Sequence, residues 1–465
     1  MRSTGIVVVS VFGIGAEGYP YYASVFRPSE YDRDIVRLAV PALGSLAAEP
    51  LYVLVDTAVV GHLGRAQLGG LAVAGTLLTT AFLLFNFLAY GTTATVARAV
   101  GARDRRRATG HAVQALWVAA TLGLVLLALG IGLASPAVSI MGARGAVRGY
   151  ALTYLRISAL GAPAVLAALA GMGFVRGLQD TRTGFVVAGI ANAFNLALEL
   201  VLIYGFGWGI AGSAWATVIA QYGAAAVFVG IIVRAARAEH VSLEPDRAGL
   251  RHLFDIGWPL VLRTATLLAA LSGATAVAAR FGTVPLAAHQ IAFQVWSFLA
   301  LTMDAIAIAA QAMIGNMLGA GRPEDARAVS RRMLTWGVVV GLGLAVILAA
   351  SSWGLAPLFT NDSSVRALAV RLLWIVAAMQ PLNAVVFVLD GVLIGAADVA
   401  YLAAAMGAAA VFVFLPAAAI VLRARAGVLW LWAAIVLLML GRCAGVGARF
   451  AGKRWMQPVS SPNGP

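Results

Sequence analysis

Only one of the 465 residues, Cys443, is a cysteine, and only 11% are charged. The lone thiol excludes a disulfide framework and a cysteine-rich metal site, and leaves redox chemistry without its usual groups. A charged share that low, beside a hydrophobic share of 61%, does not solvate the surface of a soluble domain. Walker A, HExxH and GxSxG sequences are all missing, so ATP hydrolysis, membrane proteolysis and esterase chemistry lack their motifs. No enzyme activity and no cofactor are expected. Gly207-Trp208-Gly209-Ile210-Ala211-Gly212 has the letters of a dinucleotide fingerprint, but no strand precedes it, and it reads as a tight turn between membrane helices.

What the chain does have is apolar stretches of about 20 residues, the length that crosses a bilayer. Twelve recur from Ile35 to the end. The expectation is an all-α polytopic membrane protein of twelve transmembrane helices. The net charge of +14 comes from arginines in alternate loops rather than on one face, which makes nucleic acid the weaker reading. The rich loops hold Arg98, Arg103 and Arg105 to Arg107, then Arg176 and Arg182, then Arg234, Arg237, Arg247 and Arg251, then Arg322, Arg327, Arg331 and Arg332. The tail adds Arg449, Lys453 and Arg454; Arg423 and Arg425 run locally against the pattern. The positive-inside rule then puts the rich loops and both termini in the cytoplasm of a bacterial inner membrane protein. Residues 1–32 read as an extension, disordered or reflecting a misassigned start, whose apolar run Ile6 to Ile14 resembles a weak signal sequence without a cleavage site.

Internal repetition organises the rest. Pro41 and Pro259, Gly101-Ala102 and Gly319-Ala320, Pro163 and Pro381, Gly177 and Gly395, and Asp180 and Asp398 each recur 218 positions apart. Five such matches in chain order divide the chain into lobes at 33–233 and 253–450, a polar linker at 234–252 and a tail at 451–465. Six spans per lobe is even, so the lobes enter the membrane in the same direction, as parallel repeats, with the substrate cavity expected between them.

Charges at bilayer depth cost several kcal/mol and mark candidate sites. Glu49 and Asp56 are two turns apart on one face of the first span; Asn192, Asn195 and Glu199 stripe the fifth; Thr217 follows in the sixth. At about 1.5 Å per residue, Asp56, Glu199 and Thr217 all reach the outer half of the membrane. Two carboxylates, an amide oxygen and a hydroxyl can hold a monovalent cation such as sodium, or a proton shared between two repelling acids. The alternative is that each side chain caps a kink or bonds a nearby carbonyl. The positions 218 further on are Ala274, Val413, Ala417 and Ile435, so ion coupling is expected in the N-terminal lobe alone. The C-terminal lobe has Arg263, Asp304 and Asp390, with Gln380 and Asn383 on the face of Asp390. A buried ion pair with a structural or gating role is expected there.

The chain resembles the multidrug and toxic compound extrusion (MATE) family over about residues 33 to 452. The resemblance rests on Val55-Asp56-Thr57-Ala58 with Gly61-His62-Leu63-Gly64, on Arg176 to Arg182, and on Asn192 to Glu199 followed by Gly212 to Thr217. It rests also on Ala288-His289-Gln290 and on Gln380-Pro381 leading to Asp390 to Gly395. Asp304 before Ala309-Ala310-Gln311, with Arg263 and Asp390-Gly391, looks like the DinF branch. The resemblance implies a V-shaped pair of six-helix bundles that exports cationic and amphipathic compounds against protons or sodium. A monomer in contact with membrane lipids is expected. The resemblance puts Asp56, Asn195, Glu199 and Thr217 on the cation site and Pro41 at a bend of the first helix. Glu199 stands where relatives commonly have Asp, and Glu49 is an added acid. The competing reading is a flippase for a lipid-linked precursor, whose cavity should be cationic; a non-transporting scaffold has no use for clustered acids.

Overall fold

In the computed structural model, which describes residues 29–457, helices account for nearly all of the chain and no strand occurs among the described residues. The spans are α1 Asp32–Gly61, α2 Arg65–Gly101, α3 Arg105–Gly132, α5 Thr181–Gly205 and α6 Gly209–Ala238. They continue as α7 Arg247–Ala279, α8 Thr283–Gly319, α9 Pro323–Phe359, α10 Ser363–Gly395, α11 Val399–Arg423 and α12 Val428–Ala451. The fourth, α4, is the pair Gly145–Ala159 and Ala162–Gly177, bent by 49° just before Pro163. Counting that pair as one span gives the expected twelve. The sequence extension up to residue 28, with its signal-like run, lies outside the described residues.

These segments form helices because their side chains are apolar nearly all round and every backbone group must be paired within the segment in lipid. Aspartates start several of them. Asp104 accepts from Arg107 N at 2.8 Å, Asp180 from Thr183 N at 3.0 Å and Asp362 from Ser364 N at 2.8 Å. Large apolar side chains face outward, among them Leu54 at 68% exposed, Trp353 at 71% and Phe412 at 77%. In water that surface drives aggregation; here it is the lipid contact.

The chain divides into two compact units. One runs Leu38–Val261 with Gly319–Gly321; the other holds the described residues before Leu38, Leu262–Leu318 and those from Arg322 on. In the first, residues 241–249 pack onto α3 through Gln114 and Trp117. Within the second, Asp32 is gripped by Arg332 through two bonds of 2.6 and 2.7 Å and by Trp336 Nε1 at 2.8 Å.

Each unit repeats the packing of the other at the 218-residue offset. Gly123 sits against Pro163 Cα, and Gly341 against Pro381 Cα. Gly173 abuts the Ala89 carbonyl as Gly391 abuts that of Ala307; Gly177 abuts Thr93 O as Gly395 abuts Gln311 O. A Cβ on any of these glycines would crowd the neighbouring helix at 3.1 Å or less. Close approach without side chains is how apolar helices associate where no hydrophobic drive separates protein from lipid.

Candidate functional site

α1, α4, α5 and α6 bring a polar cluster together in the first unit. Asp56 is 4% exposed, Asn195 4% and Glu199 0%. Ser213 Oγ donates to Asp56 Oδ1 at 2.6 Å, and the Asp56 and Glu199 carboxyls lie within hydrogen-bonding reach of each other. Thr217 Oγ1 donates to the Ser213 carbonyl at 3.0 Å. With its proton used there, it accepts from Tyr52 Oη at 2.8 Å and Asn195 Nδ2 at 3.4 Å. The buried Tyr154, from α4, faces the same hydroxyls.

Local structure sets these positions. Glu199 is the penultimate residue of regular helix before a π-helical turn, Val201–Gly205. Such turns recur at functional sites because the extra residue re-aims neighbouring side chains. Gly212 lets α6 start against that turn, since a Cβ there would meet Leu202 and Ile203 backbone at 3.1 and 3.2 Å.

The cluster is rich in acceptors and poor in donors. Both Glu199 oxygens and Asn195 Oδ1 are buried and find no hydrogen-bond donor among the described residues. Two buried carboxylates within reach of each other repel, and they coexist only with a cation or a proton between them. No cluster of three His, Cys, Asp or Glu residues suited to a metal ion occurs among the described residues.

Two residues read as part of this site stand apart from it. Glu49 is exposed; sharing a face with Asp56 leaves it two turns, about 10 Å, away along the axis. Asn192 donates to the Ala48 carbonyl at 2.9 Å, which is the backbone-bonding alternative. Helix α1 runs as a single helix through Pro41 and Pro50, with Thr181 Oγ1 on the Leu38 carbonyl at 2.9 Å. Tyr52, Ser213 and Tyr154 are site residues beyond those the sequence singles out. The first two had a signal: Tyr52 is four residues before Asp56 and Ser213 four before Thr217, one helical turn on the same face.

The second unit is arranged differently. Asp390 Oδ2 accepts from both Arg263 and Arg442, the latter at 2.7 Å. Asp304 lies close enough to act on Arg442. Two arginines and two aspartates make a charge-balanced network, in which Arg442, a charge inside the last span, is the member the sequence reading passed over. Gln380 bonds its own helix at Val376 O, 2.9 Å away, and Asn383 is buried with both amide atoms lacking a partner among the described residues.

The MatE family profile matches this chain twice, over residues 41–201 and 259–419. Protein DETOXIFICATION 44, chloroplastic, of Arabidopsis thaliana is 34% identical over 80% of this chain and 74% of its own length. DNA damage-inducible protein F of Escherichia coli K12 is 30% identical over 78% and 81%. Among solved structures, a MATE protein in a bent conformation superposes with a TM-score of 0.84 at 21% identity, covering 91% of this chain and 96% of that one. A MOP superfamily transporter from Pyrococcus furiosus Vc1 gives 0.81 at 21% identity over 90% and 95%.

Proposed function

We propose, on the premise that this chain belongs to the MatE family and is a multi-pass membrane transporter rather than an enzyme, that it is an antiporter. It exports cationic and amphipathic small molecules by alternating access, in exchange for protons or sodium, across a bacterial cytoplasmic membrane with its arginine-rich loops inside. The observation that carries this reading is the buried, donor-poor cluster of Asp56, Glu199 and Asn195. A site that lacks a resident positive charge has to recruit one, and a recruited charge can leave. Tyr52, Thr217 and Ser213 supply hydroxyls that rotate between donating and accepting, so they serve the site both loaded and empty.

The reading is tested in proteoliposomes by export of a fluorescent organic cation under an imposed proton or sodium gradient. Asp56→Asn is expected to abolish gradient-driven export while the protein still inserts and folds. If the coupling ion is a proton, drug and proton disfavour each other by reciprocity, so equilibrium drug affinity falls as pH drops, by at most about tenfold per unit for one proton exchanged. Glu199→Gln is expected to flatten that dependence. An affinity indifferent to pH that responds to added sodium selects sodium; wild-type export by Asp56→Asn removes the cluster from the mechanism.

A further inference from the structure

A polar cavity of about 480 Å³ lies in the first unit between the first turns of α3 and the loop that joins α6 to α7. It is about 35 Å along α6 from Ser213, so it is no part of the carboxylate cluster. Its outer wall is built rather than loose. Gln114, 7% exposed, donates from Nε2 to Glu244 O at 3.1 Å and accepts from Asp246 N at 2.9 Å, while Trp117 Nε1 holds Leu243 O at 2.8 Å. Gly249 fits beneath, where a Cβ would meet Gln114 Cγ at 2.7 Å.

The two walls carry opposite charge. α3 contributes the charges of Arg106 and Arg107; the loop contributes those of Glu244 and Asp246. Asp104, on the arginine side, caps α3 through Arg107 N, and Asp246 caps α7 through Gly249 N, both at 2.8 Å. Arg106, Arg107 and Glu244 enter none of the ion pairs among the described residues. Opposite charges therefore face each other across the cavity without closing it.

We propose that this cavity binds a zwitterion carrying a phosphate and a primary ammonium, the chemistry of a phosphoethanolamine head group. A simple anion meets the loop carboxylates and a simple cation meets two guanidiniums; a molecule with both charges satisfies both walls. Arg106 and Arg107 take the phosphate oxygens through their planar forks, and Glu244 accepts from the ammonium, which has three N–H donors. The arginine-rich end of a membrane helix is also where phospholipid head groups lie.

The test is the thermal midpoint of the purified full-length protein in detergent, titrated with dihexanoyl phosphatidylethanolamine, phosphatidylcholine, phosphatidylglycerol and free O-phosphoethanolamine. A saturable rise with the ethanolamine lipid is expected, at an affinity at least about fivefold above the choline form, which lacks N–H donors, and the glycerol form, which lacks the cation. Glu244→Gln is expected to erase the preference over phosphatidylglycerol, and Arg106→Gln with Arg107→Gln to erase the response, with unliganded midpoints unchanged. Free O-phosphoethanolamine acting as strongly as the lipid supports the site with a soluble ligand; a much weaker action supports the lipid. Equal responses to all three lipids, or responses that persist in both variants, overturn the proposal.

Discussion

The charge network of the second unit makes a prediction that depends only on counting. Asp390 is 6% exposed in its side chain, Arg442 4% and Arg263 13%, so none of the three is well solvated. Asp390 serves both arginines from one oxygen, and Asp304 supplies the balancing charge. Breaking a buried pair by removing one partner costs about 3–5 kcal/mol, because the other charge stays behind unpaired. Arg442→Met should therefore lower the thermal midpoint by roughly 6 to 20 °C, taking about 2 to 4 °C per kcal/mol for a unit of this size. Arg442→Met combined with Asp390→Leu removes one charge of each sign, leaves Arg263 with Asp304, and is expected to recover most of that loss. Arg263→Met with Arg442→Met removes two charges of one sign and is expected to be the least stable of the set. Midpoints in detergent at fixed salt give the order directly. If the opposite-sign double mutant loses the sum of its two single losses, the residues are not one network and the reasoning fails.

Two further outcomes separate the readings of individual residues. Asn192→Ala and Glu49→Gln should retain the coupling ion, with Asn192→Ala losing about 1 kcal/mol for the bond to Ala48 O; loss of the proton or sodium dependence of export in either variant would return that residue to the cation site. Gly173→Ala and Gly391→Ala, which meet backbone at the same repeat position, should each cost about 1–3 kcal/mol, whereas Gly189→Ala and Gly407→Ala, also repeat mates but with nothing within 4 Å, should be neutral or slightly stabilising; equal effects at all four positions, read by thermal midpoint, would mean the glycine contacts do not set the packing.

The repeat was the most legible feature of the sequence because it is written in residues whose role is steric. Pro163 and Pro381 share a glycine neighbour 218 positions apart in each unit, and a steric contact tolerates no change of residue type. Asp180 and Asp398 show where the same logic stops. Both are aspartates at a helix start, yet Asp180 caps α5 while Asp398 makes no cap bond and instead holds Arg449 at 2.5 and 3.1 Å. Sharing a face is not sharing a height: the seven-residue spacing that puts Glu49 on the face of Asp56 also sets it about 10 Å away along α1. Spacing also says nothing of which neighbour arrives, so the bond from Asn192 to Ala48 O and the position of Tyr154 needed the packing of other helices.

The two units handle buried acids in opposite ways, and the contrast bears on where an exchangeable ion can bind. In the second unit, Asp390 has arginine as its counter-charge, fixed to the chain and always protonated. Such a carboxylate is neutralised permanently, which suits a strut between α7, α10 and α12. The positions in that unit that correspond to Asp56, Asn195, Glu199 and Thr217 are Ala274, Val413, Ala417 and Ile435, and Ala274 and Ile435 are buried among other apolar side chains. In the first unit, Asp56 and Glu199 share their surroundings with hydroxyls and an amide, and with no arginine or lysine partner among the described residues. An acid that must gain and lose its counter-charge in each cycle cannot have that charge covalently attached. By this argument an arginine introduced beside the pair, for example Ser213→Arg, should stand permanently in place of the recruited charge and uncouple export from either gradient.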